Sequence, residues 1–303
     1  MYSENKSDKI KRGKDLQRGL IMAKTIHIIL DSTANVPQQM LKEYANLHVV
    51  PLKVIRGSQV WLDGELTNEQ LFQQMQDSNF QVRTSQPSPG DFMAVMEPLS
   101  ANGADIIVIT MSGGLSGTVQ SAEIAARMLG KNVFVIDSGT TAIGMVKMAQ
   151  TALRLAADQV PAAEIADYLH LLAKATCTMF VPGSLEYLHR GGRIGGAAAL
   201  FGGILQIRPI LQLVDGRVAV LDKIRTRARA ITRLLEELKK YDDLEYVGVV
   251  QIEALEEAQQ LCARIAECCP GLSLSVTDGG TVLATHLGPG LIGFVFQQRI
   301  VSA

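Results

Sequence analysis

Cysteine is scarce in this chain of 303 residues, with four in all and no C-x-x-C pair among them. Cys177, Cys262, Cys268 and Cys269 sit among helix-like apolar residues, which fits buried thiols in a reducing cytoplasm and not a disulfide framework or a zinc site. The five histidines, at 27, 48, 170, 189 and 286, show no ligand spacing with one another or with cysteine, so no metal site is expected. Charge of one sign is also missing: the formal net charge is −1, which gives no footprint for nucleic acid or another polyanion. Nor is there a long hydrophobic run. Ile26 to Leu30 is too short for a signal-peptide core, and the uncharged stretch Ile194 to Ile207 is too short to span a bilayer before Arg208-Pro209 closes it.

Several familiar chemical motifs are absent as well. There is no Walker A sequence and no H-E-x-x-H, and Ser116 is not in G-x-S-x-G because position 118 is Thr. Gly288-Pro-Gly-Leu-Ile-Gly293 fits G-x-G-x-x-G, yet no helix-sized segment and no acidic residue follow it, so a dinucleotide site is not expected there. No cofactor is expected, and none of these motifs names a catalytic residue.

What is present is a soluble globular composition, 47% hydrophobic and 19% charged, in a chain long enough for two domains. The first 23 residues stand apart: Lys6, Lys9, Lys11, Arg12, Lys14 and Arg18 occur among few apolar residues, which reads as a disordered leader or an alternative start at Met22. Beyond them, Thr25 to Leu30, Leu47 to Ile55, Ala104 to Thr110 and Asn132 to Ile136 read as strands. Pro37 to Ala45, Asp91 to Ser100, Val119 to Leu129 and Thr141 to Ala157 read as helices. Apolar strands alternating with helices imply an α/β fold with a mostly parallel sheet and flanking helices.

The second half has another rhythm. An Asp-Gly hairpin joins Ile210 to Leu213 with Arg217 to Leu221. A charged helix (Thr226 to Lys240), a strand (Tyr246 to Ile252), a helix (Leu255 to Cys268) and two strand-like runs (Leu272 to Thr277, Thr281 to Thr285) follow. This α+β layout places a second domain at 171–303 after a first at 24–170, with a packed interface because no linker separates them.

Four glycine- and hydroxyl-rich stretches lie far apart: Thr84-Ser-Gln-Pro-Ser-Pro-Gly90, Ser112-Gly-Gly-Leu-Ser-Gly-Thr118, Gly191-Gly-Arg-Ile194 and His286-Leu-Gly-Pro-Gly290. In open α/β sheets ligands gather beyond the carboxyl ends of the strands. Three strands here end in hydroxyl-rich turns, at Asp31-Ser32-Thr33, Ser112 to Thr118 and Asp137-Ser138-Gly139-Thr140. The unpaired N–H groups of a following helix favour an anion there. For Asp31 and Asp137 taken alone, helix capping is the favoured reading. The Ser112 to Thr118 stretch offers three hydroxyls with three glycines where one cap needs one hydroxyl. His286 reads either as a structural histidine or as a ligand-facing one, and Arg193 either as a surface charge or as a headgroup partner.

Taken together, Thr84-Ser-Gln-Pro-Ser, Leu115-Ser-Gly-Thr-Val-Gln-Ser-Ala122, Leu185-Glu-Tyr-Leu-His-Arg-Gly-Gly-Arg-Ile194, Arg208-Pro-Ile-Leu211 and His286-Leu-Gly-Pro-Gly290 resemble the DegV family, in the family's order from about Lys24 onward. The resemblance implies a fatty-acid-binding subunit of bacterial fatty acid kinase, with a long-chain fatty acid held between two domains. Its carboxylate is presented to a separate kinase subunit, and the acyl phosphate formed feeds phospholipid synthesis. By motif match Thr84 and Ser116 hydrogen-bond the carboxylate, with Ser85, Gly117 and Thr118 beside them, and Arg193 and His286 flank it. Asp31, Ser32 and Ser138 are secondary members of the cradle. Ile143, Met145, Met148, Leu200, Phe201, Ile204 and Leu205 are candidate tunnel walls, and each taken singly reads at least as well as ordinary core. The family usually has Lys where this chain has Arg208, and Gly195 to Ala199 is unusually rich in small residues. An alternative from another class is an enzyme acting on a small anionic metabolite with Ser116 or His286 as catalyst; it needs a base for Ser116, and the sequence shows none.

Overall fold

The computed structural model describes residues 24–76, 81–130, 132–202 and 207–300; the expected leader and the candidate walls Ile204 and Leu205 lie outside the described residues. In chain order come strand β1 (Ile26–Asp31), a 3-10 turn (Ser32–Ala34), helix α1 (Gln38–Glu43), and strands β2 (Leu47–Val50), β3 (Lys53–Arg56) and β4 (Gln59–Leu62). Helix α2 (Asn68–Gln76), β5 (Val82–Ser85), α3 (Pro89–Ala101), β6 (Asp105–Thr110), α4 (Thr118–Leu129), β7 (Val133–Asp137) and α5 (Ile143–Ala157) follow. Then come α6 (Ala162–Ala175), β8 (Thr176–Val181), α7 (Glu186–Arg190), a second 3-10 stretch (Gly195–Leu200), β9 (Arg208–Val214) and β10 (Arg217–Ile224). The chain closes with α8 (Arg227–Leu238), β11 (Leu244–Ile252), α9 (Leu255–Cys268), β12 (Ser273–Asp278), α10 (Thr281–Leu287) and β13 (Leu291–Gln298).

The expected parallel sheet is present as four strands in the order β2-β1-β6-β7, every pair parallel. Its central strands are buried on both faces, which is why β1 and β6 read as continuous apolar runs. A second sheet of six strands, β10-β9-β8-β13-β11-β12, is antiparallel except for β11 with β12. The hairpin turn carries Asp215 at φ +48° and Gly216 at φ +71°, the left-handed pair that a two-residue connection requires.

Three expectations change. Leu47 to Ile55 is not one strand: Pro51, which lacks an N–H, ends β2, and β3 pairs instead with β4 and β5 in a small antiparallel sheet. Thr281 to Thr285 is helix, not strand. A five-residue apolar run cannot declare its own period, and the group that caps this helix is Asp63, remote in sequence, which accepts from Thr281 Oγ1 at 2.7 Å and from the Val282 N–H at 3.1 Å. Cys177 lies in strand β8, whereas Cys262 and Cys268 lie in α9 and Cys269 caps it; all four are free thiols. The line drawn between residues 170 and 171 falls inside α6, which packs against β6, β7, β8 and β13.

Helix α5 joins the two halves. It touches β1 and β6 of the parallel sheet and β11 and β13 of the mixed sheet, and it is apolar nearly all round. Gly144 permits the close approach: a Cβ there would stand 2.8 Å from Val295 Cγ1 and 2.9 Å from Thr140 Cγ2. Among the described residues no helix is long and apolar enough to cross a membrane.

Candidate functional site

Thr84 and Ser85 end strand β5, where Thr84 pairs with Val54 of β3. The chain then turns through Gln86 and Pro87 into α3, whose start is fixed by a capping box in which Ser88 and Asp91 each bond the other's backbone N–H. The Thr84 hydroxyl lies 2.7 Å from Nε2 of His286, near the end of α10. Gly191 explains how the ring fits: a Cβ there would come 2.1 Å from His286 Nδ1. The first glycine of Gly191-Gly-Arg-Ile194 therefore makes room for the imidazole.

The Ser112 to Thr118 stretch is a tightly tied loop from β6 into α4. The Met111 N–H donates to Asp31 Oδ2 at 2.6 Å, the Gly113 N–H to the Asp137 carboxylate, and Ser112 Oγ to the Gly216 carbonyl at 2.7 Å. Ser112 is thus spent on joining this loop to the β9–β10 hairpin. Gln86 donates to the Gly117 carbonyl at 2.9 Å and to Ser121 Oγ at 3.0 Å, and only a glycine at 117 leaves that amide space. Ser116 Oγ and Thr118 Oγ1 are 2.9 Å apart. Arg193 bridges the stretches, donating from Nε to the Leu115 carbonyl at 3.1 Å and from Nη1 to the Gly191 carbonyl at 2.7 Å.

These elements close around a cavity of about 300 Å³. Thr84, Ser85, Ser116, Arg193 and His286 line it together, as does Gln86, which the sequence reading did not single out although it lies inside the Thr-Ser-Gln-Pro motif. The rest of the wall is mainly apolar and comes from both halves, with Leu52 and Met111 from the first and Leu213, Val250 and Phe294 from the second. A polar recess of about 510 Å³ shares Thr84, Arg193 and His286 and adds Arg83 and Arg190.

Other expected residues fall elsewhere. Gly117 and Thr118 stand behind Ser116, holding it by the contacts just described, and do not line the cavity. Asp31 is fully buried and accepts from the Thr33 N–H and hydroxyl as well as from Met111, so it caps the 3-10 turn and anchors the loop. Ser32 donates to Asp63 at 2.8 Å, and Ser138 is buried with its hydroxyl on the Thr140 carbonyl at 3.2 Å. Ile143, Met145 and Met148 are consumed in the packing of α5 and are core, not tunnel wall. Leu200 is not in the lining either, and Phe201 stacks on His189 with ring centroids 3.8 Å apart. Two lining residues were not foreseen, Thr141 and Thr178.

The site is hydroxyl-rich and poor in charge. Burial, reinforced by the Arg193 guanidinium, drops the His286 pKa to about 4, so the ring is neutral near pH 7. Asp31 moves the other way: burial pushes its pKa up to about 6 against the hydrogen bonds it accepts. Among the described residues no cluster of His, Cys, Asp or Glu has the makings of a metal site. A carboxylate only accepts hydrogen bonds, and hydroxyl donors beside a guanidinium at one part of an apolar cavity suit a molecule with an anionic head and an apolar tail.

A family model described as an uncharacterised protein of the DegV family matches residues 25–299. A DegV domain-containing protein of Streptomyces coelicolor is 35% identical over 284 residues, covering 92% of this chain and 100% of the relative. Among solved structures, a DegV family protein of Thermus thermophilus, described by its fatty acid binding, superposes with a TM-score of 0.82 at 31% identity, covering 91% of this chain and 100% of that one. DegV of Bacillus subtilis, described as a fatty acid binding protein, gives a TM-score of 0.81 at 29% identity over 91% of this chain and 100% of that one.

Proposed function

The chain belongs to the DegV family, and from that membership we propose that it is a cytoplasmic, non-catalytic carrier of a single long-chain fatty acid. The observation that supports this most is the one cavity wall that combines Thr84, Ser116, Arg193 and His286 with an apolar remainder. In this reading the carboxylate accepts hydrogen bonds from the Thr84 and Ser116 hydroxyls. Arg193 offsets its charge, and the neutral His286 holds the Thr84 hydroxyl in place. The acyl chain supplies most of the affinity, at about 0.8 kcal/mol for each methylene taken out of water.

The carrier then presents the carboxylate to a separate kinase subunit. One carboxylate oxygen attacks the terminal phosphorus of ATP held by that subunit, ADP leaves, and an acyl phosphate remains on the carrier. The recess that shares Thr84, Arg193 and His286 supports such an approach, because it gives the headgroup residues a polar side lined by Arg83 and Arg190. With a net charge of −1 the chain is not expected to bind nucleic acid.

Native mass spectrometry of the purified protein, followed by denaturation and identification of what is released, tests the carrier reading. A fatty acid at close to one per chain is the expected result. A protein that is empty and takes up no added fatty acid overturns it, and turnover of a soluble anion by the protein alone, lost in His286→Ala, moves the function to the enzyme class.

A further inference from the structure

Two cysteines stand side by side away from the acyl cavity. Cys268 is the last residue of α9 and Cys269 is its C-cap. Neighbours within a helix point about 100° apart, but Pro270 disfavours helix at the residue before it. Cys269 accordingly leaves the helix at φ −129° and ψ 69°, while its N–H still donates to the Ile265 carbonyl at 2.8 Å. Both cysteines line one open depression of about 520 Å³, bordered also by Lys239, Tyr241, Glu245 and Arg299. Cys268 is exposed and Cys269 half-buried. The other two cysteines, Cys177 and Cys262, pack against the core between the larger sheet and helices α8 and α9.

Consecutive Cα atoms are about 3.8 Å apart across a trans peptide, closer than the roughly 4.4–6.8 Å of ordinary disulfides. A direct bond between these two sulfurs would be strained and easily reduced, so the pair persists as two thiols. Burial, reinforced by the neighbouring Cys268 sulfur, raises the Cys269 pKa against the pull of Lys239. That sulfur is therefore a thiol near pH 7 and slow towards oxidation or alkylation on its own. A metal ion that needs a shell of four ligands is poorly served too, since among the described residues no group of three or more His, Cys, Asp or Glu is placed to hold one. What fits is an electrophilic atom that takes two sulfurs and completes its valence with its own substituent. Such an atom also lengthens the bridge between the sulfurs and so relieves the strain of the direct bond.

We propose that Cys268 and Cys269 form a dithiol site for organic trivalent arsenicals. In the reaction the two S–H bonds and the arsenic–oxygen double bond of R–As=O break and two As–S bonds form. The oxygen leaves as water with both thiol protons, arsenic stays trivalent, and nothing is oxidised or reduced. The second As–S bond closes within one molecule, so the pair holds arsenic far more tightly than either thiol alone. Neither cysteine lines the acyl cavity, and the site stands independently of the carrier reading.

Reduced full-length protein titrated with phenylarsine oxide and followed by native mass spectrometry provides the test. One phenylarsenic group per chain is expected, released by dimercaptopropanol and retained against the same concentration of a monothiol. Cys268→Ser and Cys269→Ser should each weaken binding about 100-fold, as loss of a chelating partner requires, while Cys262→Ala binds as the unmodified protein does. Thermal melting shows that each variant is folded, and the exposure of Cys268 makes its serine variant the safest of the three. No uptake by the unmodified protein overturns the inference. So does undiminished binding in a folded Cys268→Ser, or release by the monothiol as readily as by the dithiol.

Discussion

The Thr84 hydroxyl and His286 Nε2 lie 2.7 Å apart although 202 positions separate the two residues in the chain. This bond ties the end of β5 to the end of α10, and so joins the small antiparallel sheet to the helix that precedes the central strand of the larger one. Breaking it leaves a buried acceptor or donor on the imidazole, whose other nitrogen already has no partner among the described residues. Thr84→Val is therefore expected to cost about 1–3 kcal/mol, divided between stability and fatty-acid affinity. Denaturant titration of the two proteins, with and without bound fatty acid, measures each share, and unchanged values in both would remove the bond from the site.

The same imidazole sets a pH dependence. Its pKa falls from 6.5 to about 4 in the folded chain, so between those values the unfolded chain binds more protons. The stability it contributes is full above pH 6.5 and is lost as the pH falls towards 4. His27 and His48, 2.9 Å apart on adjacent strands and also lowered by burial, add in the same direction. Asp31 opposes them, since its raised pKa gives stability that is lost as pH rises through about 6. His286→Gln isolates one contribution: its stability should fall less steeply than that of the unmodified protein between pH 6.5 and 4. Parallel curves would show that the ring titrates as freely folded as unfolded.

The parallel sheet was legible because β1, β6 and β7 are apolar runs followed by hydroxyl-rich turns, a local pattern with a local cause. Helix α10 was not, because the carboxylate that caps it, Asp63, is 218 positions from Thr281. The motif residues Thr84, Ser116, Arg193 and His286 were found as motifs, and the structure places them on one wall. For Ile143, Met145 and Met148 tunnel wall and core stay open in the sequence, because it shows that a helix is apolar and not which two sheets it packs between.

Gly144 packs α5 directly against Val295 of β13. Gly144→Val would place its Cβ 2.8 Å from Val295 Cγ1, and overpacking of that kind is expected to destabilise by about 1–3 kcal/mol. A lowered denaturant midpoint with an unchanged slope is the expected result. A midpoint equal to that of the unmodified protein would mean that α5 shifts freely between the sheets.

Val250 lies on β11 and faces the cavity. Val250→Phe adds bulk to the space proposed for the acyl tail while leaving the headgroup cluster untouched. Affinity for long chains should fall more than affinity for shorter ones, each lost buried methylene costing about 0.8 kcal/mol. Competition between fatty acids of graded length reads the shift directly, and an equal loss at every length would point to damage at the headgroup.

Arg193 combines two tasks that a pair of substitutions separates. Its fork donates to the Leu115 and Gly191 carbonyls and so holds the loop that carries Ser116 beside the turn that admits the His286 ring. Its charge also lies close enough to help depress the His286 pKa. Lysine keeps the charge but has no planar fork, so Arg193→Lys should retain electrostatic attraction for a carboxylate while loosening the loop. Arg193→Gln removes the charge and keeps one amide donor. If charge dominates, Lys binds fatty acid more tightly than Gln and the advantage shrinks as salt is raised. If positioning dominates, the two variants bind equally weakly at every salt concentration, and Ser116→Ala adds little to either because the loop no longer presents that hydroxyl.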